Sequence, residues 1–305
     1  MFYFYAMKKI LITGSNGLLG QKLITKLISN PNFEVVGISR GENRVISSPF
    51  QYRDVNICDP LAVHEAFDHY KPEIVIHTAA MTNVDICESD KEGCIDLNVN
   101  ATQYILDAAK KWKSHIIHLS TDFIFDGEDG PYKEEAPPNP LSFYGHSKWD
   151  AEKLVMDYPY AWSIVRTVLV YGVVPGLSRS NIVLWAKGAL EKGDPIKVVN
   201  DQFRTPTLAE DLAEGCIGIA EHGKTGIYNI SGPDFMSVLE LVERVARFFN
   251  LSTELINPIS STTLNQAAKR PPRTGFDISK ARKDFGYQPH TFEKGLELVF
   301  SQLGK

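Results

Sequence analysis

The feature that most narrows the fold is an alternation of two hydrophobic periods along the first half of the chain. Short apolar runs rich in Val and Ile recur at Lys9–Thr13, Phe33–Ile38, Ile74–His77, Ile116–Leu119 and Ser163–Arg166. Between them lie stretches with helical spacing at Leu18–Ser29, 60–69, 92–111 and Ser147–Asp157. Such apolar runs suit strands buried on both faces, and an intervening helix means parallel strands joined by crossovers. Right-handed crossovers place helices on both faces of one doubly wound α/β sheet, a Rossmann arrangement. Its ligand cleft lies at the carboxyl ends of the strands.

Beyond Tyr171 the pattern loosens. It predicts a loop at Pro175-Gly176, a helix over 181–191, a strand Ile196–Val199, a helix over 208–221 and a strand Gly226–Ile230. Helices over Ser237–Phe249 and 291–303 follow. The main domain therefore spans 7–171, with 201–231 returning to it, and 172–200 with 232–305 form a smaller C-terminal lobe. With 43% hydrophobic and 23% charged residues, the chain is not a disordered one. A net charge of −5 gives no global attraction to nucleic acid or to an anionic membrane. No run approaches the ~18–20 apolar residues of a spanning helix. The four cysteines, Cys58, Cys87, Cys94 and Cys216, show no C-x-x-C spacing and read as free thiols of the cytoplasm. Met1–Ala6 lacks the basic region and cleavage site of a signal peptide. It reads either as a leader before a start at Met7 or as a small added strand.

The first strand runs into Thr13-Gly14-Ser15-Asn16-Gly17-Leu18-Leu19-Gly20, spaced G-x-x-G-x-x-G, and the first helix opens there. Glycine suits a tight turn that a pyrophosphate approaches, and the helix start offers N–H groups and the positive end of its dipole. The third glycine lets helix and strand pack closely. The strand–turn–helix context makes this a dinucleotide site. At the end of the second strand an acid would take the ribose 2′-hydroxyl; this chain has Ser39-Arg40. An arginine there suits a 2′-phosphate, so NADPH is expected, with NADH as the alternative. Asp54 is placed to accept from the adenine amino group, and Ala79-Ala80 are small enough for the cofactor to pass.

A second constellation follows. Ser120-Thr121-Asp122 ends the strand at the cleft edge, and Tyr144 and Lys148 are spaced i, i+4 on the next helix, which puts them on one face. Free tyrosine and lysine titrate near ~10 and ~10.4. An ammonium beside the phenol is expected to lower it, making Tyr144 a proton donor to a developing alkoxide. Thr121 would orient the carbonyl, and Lys148 would also bind the ribose hydroxyls. A Tyr-x-x-x-Lys pair alone describes many surface helices. Here the glycine turn, Ser-Thr at a strand end and the Tyr–Lys pair occur in order. Asp122 and Asp126 read as acids that structure the loop, Asp122 lying also on the substrate side. Arg204, Arg270 and Arg273 are candidates to clamp a nucleotide diphosphate, since guanidinium suits phosphate oxygens. His77 and His118, within apolar runs, read as core or cleft residues rather than metal ligands.

On these motifs the sequence resembles the extended short-chain dehydrogenase/reductases, and within them the dTDP-4-dehydrorhamnose reductase family. The resemblance runs through 13–20, 77–90, 98–102, 120–127, 144–148, 164–172, 200–207 and 270–280. It implies Thr121, Tyr144 and Lys148 as the catalytic trio, with Thr82, Val84 and Asp85 beside the sugar. Asn98 would support the lysine near the cofactor, and the C-terminal lobe would bind substrate. The expected reaction is NADPH-dependent reduction of a nucleotide-linked 4-keto-6-deoxy sugar, dTDP-4-dehydro-L-rhamnose to dTDP-L-rhamnose. A homodimer is compatible with this. Two alternatives stay open: an NAD-dependent nucleotide-sugar epimerase or dehydratase, and an NADP-binding regulatory subunit resembling that of methionine adenosyltransferase. Departures from the family lie at Val168-Leu169, where an aromatic residue often packs on the sugar, and at Arg204. Gln21-Lys22 stands where some members carry an acid that helps bind a metal, so no metal is expected.

Overall fold

The computed structural model, which describes residues 7–45, 50–176, 180–264 and 266–304, pairs each apolar run of the first half as a parallel strand. The strands are β1 (Lys8–Thr13), β2 (Phe33–Ser39), β3 (Gln51–Asp54), β4 (Ile74–His77), β5 (His115–Thr121) and β6 (Trp162–Thr167). Then come β7 (Val170–Tyr171), β8 (Ile196–Val199), β9 (Phe203–Arg204), β10 (Thr207–Leu208) and β11 (Gly226–Asn229). The main sheet has seven strands, ordered β11-β6-β5-β4-β1-β2-β3. Chain order reverses between β1 and β4, which opens a crevice at their carboxyl ends. The edge strand β3 has the sequence QYRD and no fully buried residue, so no apolar run announced it. The leader Met1–Ala6 lies outside the described residues.

The helices are α1 (Leu18–Leu27), α2 (Pro60–Tyr70), α3 (Val84–Ser89), α4 (Lys91–Ile95), α5 (Ala101–Lys110) and α6 (Phe143–Met156). They continue as α7 (Ile182–Glu191), α8 (Ala209–His222), α9 (Val238–Phe248), α10 (Ser279–Phe285) and α11 (Phe292–Leu303). Side chains of β1 alternate across the sheet. Ile10 and Ile12 pack with Leu23, Leu27 and Leu212 of α1 and α8. Leu11 packs on the other face with Phe67, Ile105 and Val155 of α2, α5 and α6. A third core joins α7, α9 and α11 to β8 through Val183, Val198, Val242 and Leu296. Beside it β13 (Ile256–Ile259) pairs with β8, while β12 (Met236–Ser237) and β14 (Arg273–Thr274) flank β9. Among the described residues no helix is long and apolar enough to cross a membrane.

Two helices differ from the sequence reading. The stretch 92–111 is interrupted by a π-helical turn, Asp96–Asn100, between α4 and α5. The helix expected from Ser147 starts at Phe143, because the Ser142 hydroxyl caps it by accepting from the Gly145 amide at 3.2 Å. A glycine in the first turn masked that start, its low helix propensity being offset by the cap.

One buried ion pair fastens α6 to the sheet. Arg166 of β6 meets Glu152 in a fork, Nε to Oε1 at 3.1 Å and Nη2 to Oε2 at 2.7 Å. Its Nη1 donates to the Glu134 carbonyl at 3.0 Å, and both side chains are fully buried. Arg166→Met strands the carboxylate, and the expected loss is about 3–5 kcal/mol in chemical denaturation. Restoring neutrality with Glu152→Leu should recover most of it. A single variant as stable as the parent rejects this role.

Burial also sets the acid response. The Ser163 hydroxyl donates to the Lys224 carbonyl at 2.6 Å and so accepts from His115 Nε2 at 2.8 Å. Burial pushes His115 down from 6.5 to about 4. The unfolded chain takes up this proton near 6.5 and the folded chain does not. The contribution is therefore complete above 6.5 and is lost as pH falls toward the folded value, by up to roughly 1.4 kcal/mol per pH unit. Denaturation of His115→Gln is expected to show a shallower acid slope in that window; an unchanged slope counts against it.

Candidate active site

The crevice begins at a turn built from backbone. Gly14 has φ +67, and a Cβ there would lie 2.9 Å from the Ala79 amide nitrogen, so β1 and β4 can approach only with glycine at this point. A Cβ on Gly20 would strike the Gly14 carbonyl, which keeps α1 tight on the turn. Gly17 is the N-cap of α1 and has no side chain to cap it. The first-turn amides of Leu18, Leu19 and Gly20 thus lack an intrahelical acceptor, an arrangement that suits phosphate oxygens. This cradle fits a dinucleotide.

Asn16 and Asp54 hold the neighbouring loop. Asn16 Nδ2 donates to the carbonyls of Arg40 (3.2 Å) and Glu42 (2.9 Å) and to Tyr52 Oη (3.1 Å), while its Oδ1 accepts from the Arg44 amide at 2.9 Å. Asp54 Oδ1 accepts from the Gly41 amide at 2.9 Å. Both side chains, expected at the cofactor itself, spend these contacts on shaping the loop after Ser39. The loop displays Arg40 and Arg44 to solvent. Sequence reasoning passed over Arg44, whose Nη1 donates to the Gly176 carbonyl at 2.7 Å. Gln21 reaches the carbonyls of Asn16 and Pro175, both at 3.0 Å, and Lys22 pairs with Glu210 at 2.7 Å.

Across the crevice Ala79 and Ala80 follow β4, half-buried. Thr121 ends β5, and α6 brings Tyr144 and Lys148 to it on one face, 7% and 2% exposed. Thr121 Oγ1 donates to Asp122 Oδ1 at 3.1 Å and accepts from the Phe123 amide at 3.2 Å. Burial pushes the Tyr144 phenol above its ordinary value of 10, and a hydrogen bond with Thr121 pulls it partly back. The lowering expected from Lys148 is not found in this state. Desolvation wins at a fully buried phenol, and Lys148 Nζ turns instead to His118 Nε2 at 3.2 Å. Burial also lowers Lys148 from 10.5 to about 8. Asn98, on the π turn, bridges the segment after β4 to α6. Its Oδ1 accepts from the Met81 amide (2.7 Å), and its Nδ2 donates to the Met81 carbonyl (3.1 Å) and Ser147 Oγ (3.0 Å).

Asp122 is buried beside Thr121, hydrogen-bonded by Thr274 and 3.5 Å from Arg204 Nε. Burial raises its carboxyl above the usual range, and Arg204 draws it partly back. The clamp expected of Arg204 needs correction: the residue is 4% exposed, and its Nη atoms donate to the carbonyls of Phe203, Pro271 and Pro272. Asp122 takes its remaining direction, so the guanidinium binds β9 to the C-terminal segment. Arg270 forms a fork with Asp85, Nη2 to Oδ2 at 2.7 Å and Nη1 to Oδ1 at 3.2 Å. This joins two residues that the sequence had placed separately near substrate; Val84 adjoins them half-buried, and Thr82 is exposed. Arg273 lies over the rings of Phe203 and Phe235 at 4.7 and 5.2 Å. Thr274, reached through β14, was not foreseen, since a two-residue strand has no readable period.

The sequence profile described as the RmlD substrate binding domain matches residues 7–304. A dTDP-4-dehydrorhamnose reductase of Aggregatibacter actinomycetemcomitans is 31% identical over 305 residues, 96% of this chain and 98% of that protein. Methionine adenosyltransferase 2 subunit beta of Rattus norvegicus is 30% identical over 278 residues, 90% of this chain and 81% of that one. Among solved structures, dTDP-4-dehydrorhamnose reductase of Bacillus anthracis in complex with NADP superposes with a TM-score of 0.86 at 25% identity, covering 97% of this chain and 100% of that one. The sheet order, the crevice and this full-length match agree: the chain belongs to the RmlD substrate binding domain family.

Proposed function

We propose that the protein reduces dTDP-4-dehydro-L-rhamnose to dTDP-L-rhamnose with NADPH. The observation that carries this reading is the convergence of Thr121, Tyr144 and Lys148 beside the uncapped glycine turn at one sheet edge. When bound, the reduced nicotinamide supplies hydride to the keto carbon. Thr121 orients the carbonyl oxygen through its hydroxyl. Tyr144 delivers the proton to the oxygen as it becomes an alkoxide; its raised phenol value keeps the proton in place until then. Lys148, buried on the same face of α6, stabilises the phenolate left behind and takes the ribose hydroxyls. The turn at Gly14, Gly17 and Gly20 would hold the pyrophosphate with the amides of Leu18 and Leu19, and Ala79 and Ala80 would leave room for the dinucleotide. Ser39 and Arg40, on a loop set by Asn16 and Asp54, would hold the 2′-phosphate. Thr82, Val84, Asp85, Asp122 and Arg270 would contact the sugar, with the lobe read from 172–200 and 232–305 binding the rest of the substrate.

A second reading has a specific support, the 30% identity to a subunit named for methionine adenosyltransferase over 90% of the chain. It would make the protein an NADP-binding regulator. Retention of the buried Tyr–Lys pair supports the reductase, since regulation does not require it.

The deciding assay supplies dTDP-4-dehydro-L-rhamnose with NADPH or NADH and follows the nicotinamide absorbance. Turnover is expected with both and faster with NADPH. No turnover with either, together with altered kinetics of a methionine adenosyltransferase on mixing, selects the regulatory reading. Tyr144→Phe is expected to lower kcat by roughly 10²–10⁴; full activity would sink the proposed proton transfer. Arg40→Asp removes a charge-assisted contact of about 1.5–3 kcal/mol and should cut the preference for NADPH roughly ten- to hundredfold. An unchanged NADPH/NADH ratio would remove Arg40 from cofactor selection.

A further inference from the structure

Lys148 has one side-chain hydrogen bond among the described residues, and its partner is an imidazole. Strand alternation puts His118 on the same face of β5 as Ile116, the face covered by α6. From there Nε2 lies 3.2 Å from Lys148 Nζ, with both groups buried. The nearest carboxylate on the helix, Glu152, is one turn on and is already held in a fork by Arg166. Among the described residues the other titratable groups acting on the pair are His77 of β4 and Cys94 of α4, and Tyr144 stands one turn before Lys148 on α6.

The network around His77 settles its proton. Thr13 Oγ1 accepts from the amides of Thr78 and Ala79 and so donates to His77 Nδ1 at 2.7 Å. Thr102 Oγ1 donates to the Asn98 carbonyl at 2.8 Å and so accepts from His77 Nε2 at 3.2 Å. His77 is therefore neutral and fixed, with its ring centroid 5.3 Å from that of His118. No such network holds His118. Its Nδ1 is buried without a hydrogen-bond partner among the described residues. An orphaned polar atom of this kind costs about 1–3 kcal/mol. The flanking positions Ile116, Ile117 and Leu119 are apolar, and a side chain like theirs would avoid that cost. Polar groups that break the local rule in a core mark a requirement elsewhere.

We infer that His118 is a positioning residue for the reduction: as a neutral acceptor at Nε2 it holds the Lys148 ammonium in place behind Tyr144. This rests on the proposed reductase reading. Neutrality is the useful property. A carboxylate in this position would also hold the ammonium, but it would cancel the charge that favours phenolate at Tyr144. A neutral imidazole fixes a side chain with several rotatable bonds and leaves its charge uncompensated. Burial and the charge of Lys148 keep His118 itself well below 6.5, so it stays neutral across the working range.

The test compares His118→Phe with His118→Gln, whose Oε1 can replace Nε2 as the acceptor. With dTDP-4-dehydro-L-rhamnose and NADPH, His118→Phe is expected to lower kcat on the order of tenfold to hundredfold, with KM for the sugar little changed. Without the acceptor Lys148 loses its proton more easily, so the basic limb of the kcat–pH profile should move to lower pH. His118→Gln should restore both. If the Phe variant does not fold, His118→Asn, whose oxygen stops short of the amine, takes its place. A Phe or Asn variant with parental kcat and pH profile overturns the inference, as does equal impairment in the Gln variant. A readout free of turnover is the ¹⁵N resonance of His118 Nε2 in the protein alone. Lys148→Met should move it, and an unmoved resonance overturns the pairing. If the parent protein turns over no nucleotide sugar, the reductase reading fails. The pairing then stands or falls on the resonance.

Discussion

The cleft depends on how closely β1 and β4 approach at their carboxyl ends. Gly14 leaves no room for a side chain between the strands, and Thr13 stitches them through His77, Thr78 and Ala79. From this seam the rest follows. The turn can then pass straight into an uncapped helix, and the segment after β4 is drawn under Asn98. Through Ser147 that asparagine sets the height of α6, and with it Tyr144 and Lys148. A loosened seam would therefore displace the phosphate cradle and the proton donor together.

The interior behind this cleft is rich in charge. Glu152 meets Arg166, Asp122 meets Arg204, and Lys148 meets a neutral histidine. Charged pairs inside a protein gain little net stability, because desolvation offsets much of their attraction. Their value here is geometric. Glu152–Arg166 and Lys148–His118 tie α6 to the sheet, and Asp122–Arg204 ties the end of β5 to β9. The exception is instructive: Lys148, the one member with chemistry to perform, lacks a fully compensating anion.

Much of this could be read from the residues. Buried strands announced themselves as apolar runs, the turn as spaced glycines, and Tyr144 with Lys148 as neighbours one helical turn apart. What could not be read was partner choice. Asn16 and Asp54 look like ligand contacts in sequence, yet they satisfy backbone groups of an adjacent loop. Arg204 looks like an exposed cation, yet its donors are consumed by carbonyls nearly seventy residues away, at Pro271 and Pro272. A polar side chain's partner is set by tertiary placement, and periodicity carries no information about it. The same holds for the phenol of Tyr144, which burial raises while the Lys148 amine turns to His118. Two-residue strands such as β9, β12 and β14 are too short to show any period.

The late arrival of β11 has a consequence for biosynthesis. Residues 226–229 add to the sheet beyond β6, which is itself complete at Thr167. As the chain leaves the ribosome, β6 thus presents an unpaired edge until that later segment emerges. Such edges recruit other strands and are where aggregation starts. Truncation anywhere between the two strands would make the exposure permanent. The final strand of the sheet is therefore a guard on solubility as well as a structural element.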